Sequence, residues 1–253
     1  PILRERLPFL FIQCRPAGKI ARDELQTIAE VTGLKIGQEL HSYLLPEETD
    51  LDLVHDLNIA GRYSAVIISG SPFRAQQPAG SEAPIQGQLY NQLMPLMHYL
   101  LDNDFPTLGL CYGLQMLGQA AGATLTDRTG EDLQAVEVTL TAEGLSDPVT
   151  GKLDPVIRGY TGHGDSLANL PEGATLLGAG NHCHYQLLRF NNRLYGTQFH
   201  PEITTAGMQI RIDQYGDAYY AAAEREAVIA RCMSQDVTSS HRLLSAFTEH
   251  YRR

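Results

Sequence analysis

Two short stretches of this 253-residue chain carry residues whose types and spacing suit nucleophilic chemistry. The first is Pro106-Thr-Leu-Gly109-Leu-Cys111-Tyr112-Gly113-Leu-Gln115. It reads as a short apolar strand, then Gly-x-Cys-x-Gly, then an apolar helix, the cysteine version of a nucleophile elbow. A sharp strand-to-helix turn pushes one side chain outward, and glycines two before and two after it keep Cβ atoms out of the bend. Cys111 then stands at a helix N-terminus, where the macrodipole favours a thiolate, the attacking form of the side chain. A cysteine nucleophile needs a base to take and return its proton. Among nine histidines, His200 stands out by its setting in Leu194-Tyr-Gly196-Thr-Gln-Phe-His200-Pro201-Glu202. It closes an apolar strand that Pro201 stops, and Glu202 lies two residues on. An acid hydrogen-bonded to an imidazole sets its tautomer and stabilises the imidazolium.

The elements around these stretches must bring them together. Leu7 to Gln13 reads as a buried strand, Ala21 to Thr32 as a helix ending at Gly33, and Gln38 to Leu45 as a second strand. Leu51 to Ala60 has the spacing of a short helix closed by Gly61. Tyr63 to Ser69 is a third strand, running into Gly70-Ser71-Pro72. Residues 74 to 83 read as a loop, and Ile85 to Leu101 as a helix bent at Pro95. Alternating strand and helix predicts a parallel sheet covered on both faces. The strands of such sheets are continuously apolar, as these are.

After Gly122 the pattern becomes strands joined by turns: Ala135 to Leu140, Val156 to Tyr160, Ala174 to Ala179, Tyr185 to Phe190 and Leu194 to Phe199. Asn191-Asn192 marks a hairpin turn. Thr205 to about Met233 is helical in composition, strongest over Ala221 to Ala230. A break at Ser234 to Ser239 precedes a last helix, His241 to Tyr251. The expected fold is one α/β domain over residues 1–253: an open, mostly parallel, flavodoxin-like sheet with helices on both faces. An extra helical segment, 204–236, precedes the last helix. If the strands before Cys111 and His200 end on one sheet edge, the two residues meet where open α/β sheets place their sites.

Composition narrows the partners. Nineteen Lys and Arg against 29 Asp and Glu give a net charge of −10, and no long basic cluster occurs. Nucleic acid and anionic membranes are therefore not expected partners. No apolar run approaches the roughly 20 residues that span a bilayer. The opening residues do not read as a signal peptide. Four widely spaced cysteines without Cys-x-x-Cys suggest free thiols and a cytoplasmic location. Cys14 and Cys232 read as small buried hydrophobes. His182-Cys183-His184 offers metal-ligand types, but on a strand the two histidines share a face that Cys183 does not. With no fourth ligand placed, no metal is expected. No phosphate- or dinucleotide-binding glycine loop occurs, and no cofactor is expected.

Gly109-x-Cys111-x-Gly113-x-Gln115 with Gly196-Thr-Gln-Phe-His200-Pro-Glu202 resembles the triad (class I) glutamine amidotransferase family, over roughly residues 7 to 204. The resemblance implies Cys111 as nucleophile, His200 as general base and acid, and Glu202 as orienting carboxylate. The reaction it implies is glutamine hydrolysis to glutamate and ammonia through a γ-glutamyl thioester. It also implies an oxyanion hole from the N–H of Tyr112 and that of Ser71 or Gly70, although Ser71 stands where the family carries Gly. Gly162-His163-Gly164-Asp165-Ser166 is similar to a Ser-His-Gly-Asp stretch in the glutaminase domain of GMP synthase. That likeness implies that His163, Gly164 and Asp165 line the substrate pocket, with Gln115 as a further contact. The family usually serves a fused or separate synthetase, and no synthetase domain is seen in this sequence. The same triad would serve a γ-glutamyl peptidase acting on a γ-glutamyl conjugate. A regulatory binding protein that keeps the fold without the activity is a third reading.

Overall fold

The computed structural model describes residues 5–45, 52–75, 84–216 and 219–253. The first half of the chain alternates strand and helix. It comprises β1 (Phe9–Gln13), α1 (Lys19–Thr32), β2 (Leu40–Leu44), α2 (Ile59–Arg62), β3 (Val66–Ile68), α3 (Pro84–Asp102), β4 (Thr107–Leu110) and α4 (Tyr112–Ala120). The second half is strand-rich. It runs β5 (Leu125–Thr126), β6 (Glu131–Leu140), α5 (Ala142–Ser146), β7 (Val156–His163), β8 (Ser166–Leu167), β9 (Ala174–Ala179), β10 (Tyr185–Phe190) and β11 (Leu194–Thr197). Three helices close it: α6 (Thr205–Tyr215), α7 (Arg225–Met233) and α8 (Thr238–Tyr251).

Nine strands form one sheet in the order β2-β1-β3-β4-β11-β10-β9-β6-β7, and β5 pairs with β8 apart from it. From β2 through β11 the neighbours are parallel. From β11 to β7 they are antiparallel. The helix-wrapped half is thus the expected parallel core, and the later hairpins extend the same sheet. Alternation along β1 shows how the faces are shared. Phe9 and Phe11 pack with Ile28 of α1 and Leu244 and Phe247 of α8, while Leu10 and Ile12 pack with Leu93 and Met97 of α3 and Met116 of α4. A third apolar cluster joins Leu133 and Tyr160 to Met208 and Ile212 of α6 and Val228 and Cys232 of α7.

Several element bounds differ from the sequence reading. The helix expected over Leu51 to Ala60 is not formed: its described part is a turn, and α2 begins only at Ile59. Asp52 caps a single turn, its Oδ1 accepting the Val54 and His55 N–H groups at 3.0 and 3.1 Å. Asn58 then turns the chain at φ 46°. The alanine-rich run expected to be the strongest helix begins with residues 221–227 exposed and becomes α-helical only from Arg225. Without a buried face, propensity alone holds little helix. Helix α3 runs through Pro95. Residues 76–83 of the expected loop lie outside the described residues.

Candidate active site

Strands β1, β3, β4 and β11 run parallel, and their C-terminal ends converge on one edge. The register pairs Ile68 with Gly109 and Leu110 with Thr197. Cys111 follows directly, and its N–H donates to Thr197 O at 2.6 Å. The elbow is tight: a Cβ on Gly109 would lie 2.7 Å from the Gly113 carbonyl carbon, and one on Gly113 would lie 2.8 Å from Ile68 O. Cys111 itself sits at φ 51°, ψ −96°, capping α4. Positive φ in a residue with a Cβ is a strained state that the surroundings must enforce. Here the enforcing contacts are the Thr197 bond and the close glycine packing.

His200 is positioned from three sides. Its N–H donates to Tyr160 O of β7 at 2.8 Å. Its Nδ1 lies 2.5 Å from Glu202 Oε1. The next residue, Pro201, offers its carbonyl to the His241 ring of α8 at 2.7 Å. Cys111 and His200 are 8% and 9% exposed and line one cavity with Ser71. Burial alone would lower the His200 pKa, but the Glu202 carboxylate and Cys111 beside it raise it to about 10. Burial works against the Glu202 charge in turn, yet its pKa is held below the usual value by the His200 ring and, further off, Arg211. The arrangement favours an imidazolium beside the Cys111 sulfur. Burial pushes the Cys14 thiol up to about 12 and the Cys183 thiol to about 11, which leaves both as packing groups.

The expected oxyanion turn lies at the same place. A Cβ on Gly70 would stand 2.8 Å from His200 Cε1 and 3.4 Å from Arg15 Nη2. The turn is pinned through Ser69, whose Oγ accepts the Cys14 N–H at 2.8 Å and donates to Gly70 O at 2.7 Å. Tyr112 N–H opens α4, where no helical carbonyl is available to accept it.

Gln115 is buried, not the exposed helix residue that its polarity alone would suggest. Its Nε2 donates to Asp165 O at 2.7 Å and lies 3.3 Å from Gln198 Oε1. Gln198 in turn directs its Nε2 at Cys111 Sγ, 3.3 Å away. Sequence reasoning misses this relay from Asp165 to the sulfur, although Gln198 sits inside the motif that reveals His200. Asp165 forms a fork with Arg74, Nε to Oδ2 at 3.0 Å with a second, shorter bond from Nη2 to Oδ1. His163 spends both ring nitrogens internally, Nδ1 at 2.8 Å from Asp165 O and Nε2 at 2.8 Å from Glu131 Oε1. Gln186 Nε2 donates to the same Glu131 oxygen at 2.7 Å. His163 therefore braces the loop that holds Gly164 and Asp165. Glu131, His163 and Cys183 bring potential metal-ligating atoms within 4.8 Å of one another. Because the imidazole and carboxylate already satisfy each other, we read them as a structural pair. His182 and His184 are exposed while Cys183 is buried, so the tripeptide does not gather around one point.

Four further site residues have no local sequence signature. Arg15 donates to Glu24 Oε1 at 3.1 Å and to Tyr215 Oη at 3.2 Å. Arg211 of α6 pairs with Asp23 of α1 at 2.8 Å. Tyr219 stacks on Tyr215 with centroids 4.4 Å apart and lines the cavity at Cys111.

A sequence model of class I glutamine amidotransferases matches residues 33–216. The chain belongs to that family. Its curated relatives include GMP synthase from Edwardsiella ictaluri, 26% identical over 157 residues, 60% of this chain and 27% of that protein. A glutamine-hydrolyzing GMP synthase subunit from Sulfurisphaera tokodaii is 25% identical over 174 residues, 68% of this chain and 82% of that one. This class I amidotransferase thus spans about a quarter of the length of the first relative. Among solved structures, a glutamine amidotransferase from Thermotoga maritima superposes with a TM-score of 0.70 at 18% identity, covering 95% of this chain and 97% of that one. At that identity the likeness speaks for the fold, which is the class I amidotransferase sheet with its flanking helices. Among the described residues no helix is long and apolar enough to cross a membrane.

Proposed function

We propose that this amidotransferase hydrolyses the side-chain amide of glutamine through a thioester on Cys111 and supplies the ammonia to an acceptor enzyme. The observation that carries the reading is the strained Cys111 at the start of α4, sharing a cavity wall with a His200 that Glu202 holds. The thiolate Sγ attacks the amide carbon, and the carbonyl electrons move to oxygen. The Tyr112 N–H and an N–H of the Gly70–Ser71 turn stabilise that oxyanion. His200 gives its proton to the amide nitrogen, the C–N bond breaks, and ammonia leaves. Water then adds to the thioester, His200 takes its proton, and glutamate departs as the thiolate re-forms. The glutamyl α-amino and α-carboxylate groups lie on the side of Arg74, Asp165, Gly164 and Gln115. The Sulfurisphaera relative, named as one subunit of a GMP synthase, supports an acceptor carried on a separate chain.

The deciding measurement is intact-protein and peptide mass spectrometry after incubation with glutamine and rapid acid quench. A mass gain of one glutamyl group on Cys111, together with glutamate release abolished by Cys111→Ala in a folded protein, is the expected result. Undiminished glutamate release in Cys111→Ala would refute the reading.

A further inference from the structure

Two rooms flank the Cys111 sulfur, and they are unlike. Cys111, Ser71, Gly162 and Tyr219 border both. His200 borders only the first, and Tyr112, Arg74 and Asp165 border only the second. The proton for the departing nitrogen comes from His200, so the leaving group occupies the first room. The acyl chain lies across the carbonyl carbon from it, in the second.

The second room suits a charged amino-acid end. Its rim residues Pro72, Arg74 and Gly164 are exposed, and the Arg74–Asp165 pair presents both signs of charge. The first room is walled mostly by buried, fixed side chains. Leu133, Ile203, Met208 and Arg211 on its wall are all buried. Arg211 is fixed by Asp23 and by Gly207 O, 2.8 Å each. Tyr215 is fixed by Arg15, and Tyr219 lies against Tyr215. The free volume left beside the sulfur is about 30 Å³. The second room holds about 60 Å³, so the leaving-group side is the tighter of the two. Met208 and Tyr219 belong to the segment that follows the His-Pro-Glu motif, so this chain itself walls the leaving-group side.

We propose that Met208 and Tyr219 are specificity-determining residues that restrict the leaving group to ammonia, excluding γ-glutamyl amides with a carbon substituent on the nitrogen. The proposal rests on the thioester reading above. It assigns the segment after His200-Pro201-Glu202 to substrate selection.

The test compares L-glutamine with γ-glutamyl-ethylamide in the intact chain, with glutamate release as the common readout. The variants are Tyr219→Ala, a 37% exposed side chain, and Met208→Ala, a buried one. One added carbon in a confined pocket is worth about 10- to 200-fold in kcat/KM. The wild type should therefore favour glutamine by about 100-fold or more. Either variant should narrow that ratio about 10-fold, chiefly by raising the rate on the ethylamide. Comparable wild-type rates on the two substrates would overturn the proposal, as would an unchanged ratio in folded Tyr219→Ala. If neither substrate leaves a thioester on Cys111, the chemical reading fails and takes the selectivity with it. A thioester from glutamine with no discrimination sinks the selectivity alone.

Discussion

Gly70→Ala is the sharpest test of the site's geometry, because it adds one carbon at a known place. The new Cβ would stand 2.8 Å from His200 Cε1. Carbon atoms in ordinary contact sit about 3.5–4.0 Å apart, so the ring or the turn must give by about 1 Å. Neither is free to do so. His200 is held by Tyr160 O at 2.8 Å and Glu202 at 2.5 Å. The turn is held through Ser69, whose N–H donates to Ile12 O at 3.0 Å and whose Oγ binds Cys14 N–H. Gly70 is not among the positive-φ residues, so the backbone tolerates alanine and the effect is steric alone. Overpacking of this kind costs about 1–3 kcal/mol. A catalytic group displaced by about 1 Å loses on the order of 100-fold in rate. We expect glutamine turnover and Cys111 alkylation by iodoacetamide to fall about 10- to 100-fold, with a stability loss no larger than the overpacking cost. A folded variant with wild-type turnover and alkylation would show that the His200 edge does not face the turn during reaction.

Two other perturbations separate structure from chemistry. The folded His200 pKa is raised from 6.5 to about 10. Its contribution to stability is therefore complete below pH 6.5 and fades as pH rises through about 10. Denaturant midpoints of the wild type should fall across that window, and those of His200→Ala should fall less. Equal slopes would disprove the coupling. Glu131→Ala removes the acceptor of three buried donors, His163 Nε2, Gln186 Nε2 and Thr161 Oγ1. It should cost about 2–5 kcal/mol in urea unfolding while leaving Cys111 alkylation measurable in the folded fraction. A loss below about 1 kcal/mol would mean the pair is not structural.

The two candidate motifs are legible in the sequence because each is local. Glycines beside Cys111, and a proline and an acid beside His200, record constraints within a few residues of chain. The limits of β9 and β10 can be read to the residue because turn residues bound them: Gly173 before β9, Gly180-Asn181 between the two, and Asn191-Asn192 after β10. The rest of the site is hidden because it is built across distance. Arg211 meets Asp23 across 188 residues, and Tyr215 meets Arg15 across 200. A surface-looking arginine or tyrosine in a helix carries no mark of a partner that far away. The failed helix before Ile59 has the opposite cause. Leu53 and Leu57 are buried, as their helix-like spacing suggests, and Asp52 caps the first turn, but Asn58 in the left-handed region ends it there.

Tyr160 has a double attachment. Its backbone carbonyl holds the His200 amide, and its hydroxyl donates to Cys232 O near the end of α7 at 2.8 Å. The helices after the motif and the backbone of the candidate base therefore hang from one residue, the first by its side chain and the second by its main chain. Trimming the chain toward a smaller catalytic unit would not simply strip an ornament. It would cut one mooring of β7, the strand that holds the His200 amide, and the remaining protein would have an intact elbow facing an imidazole with less to keep it in place.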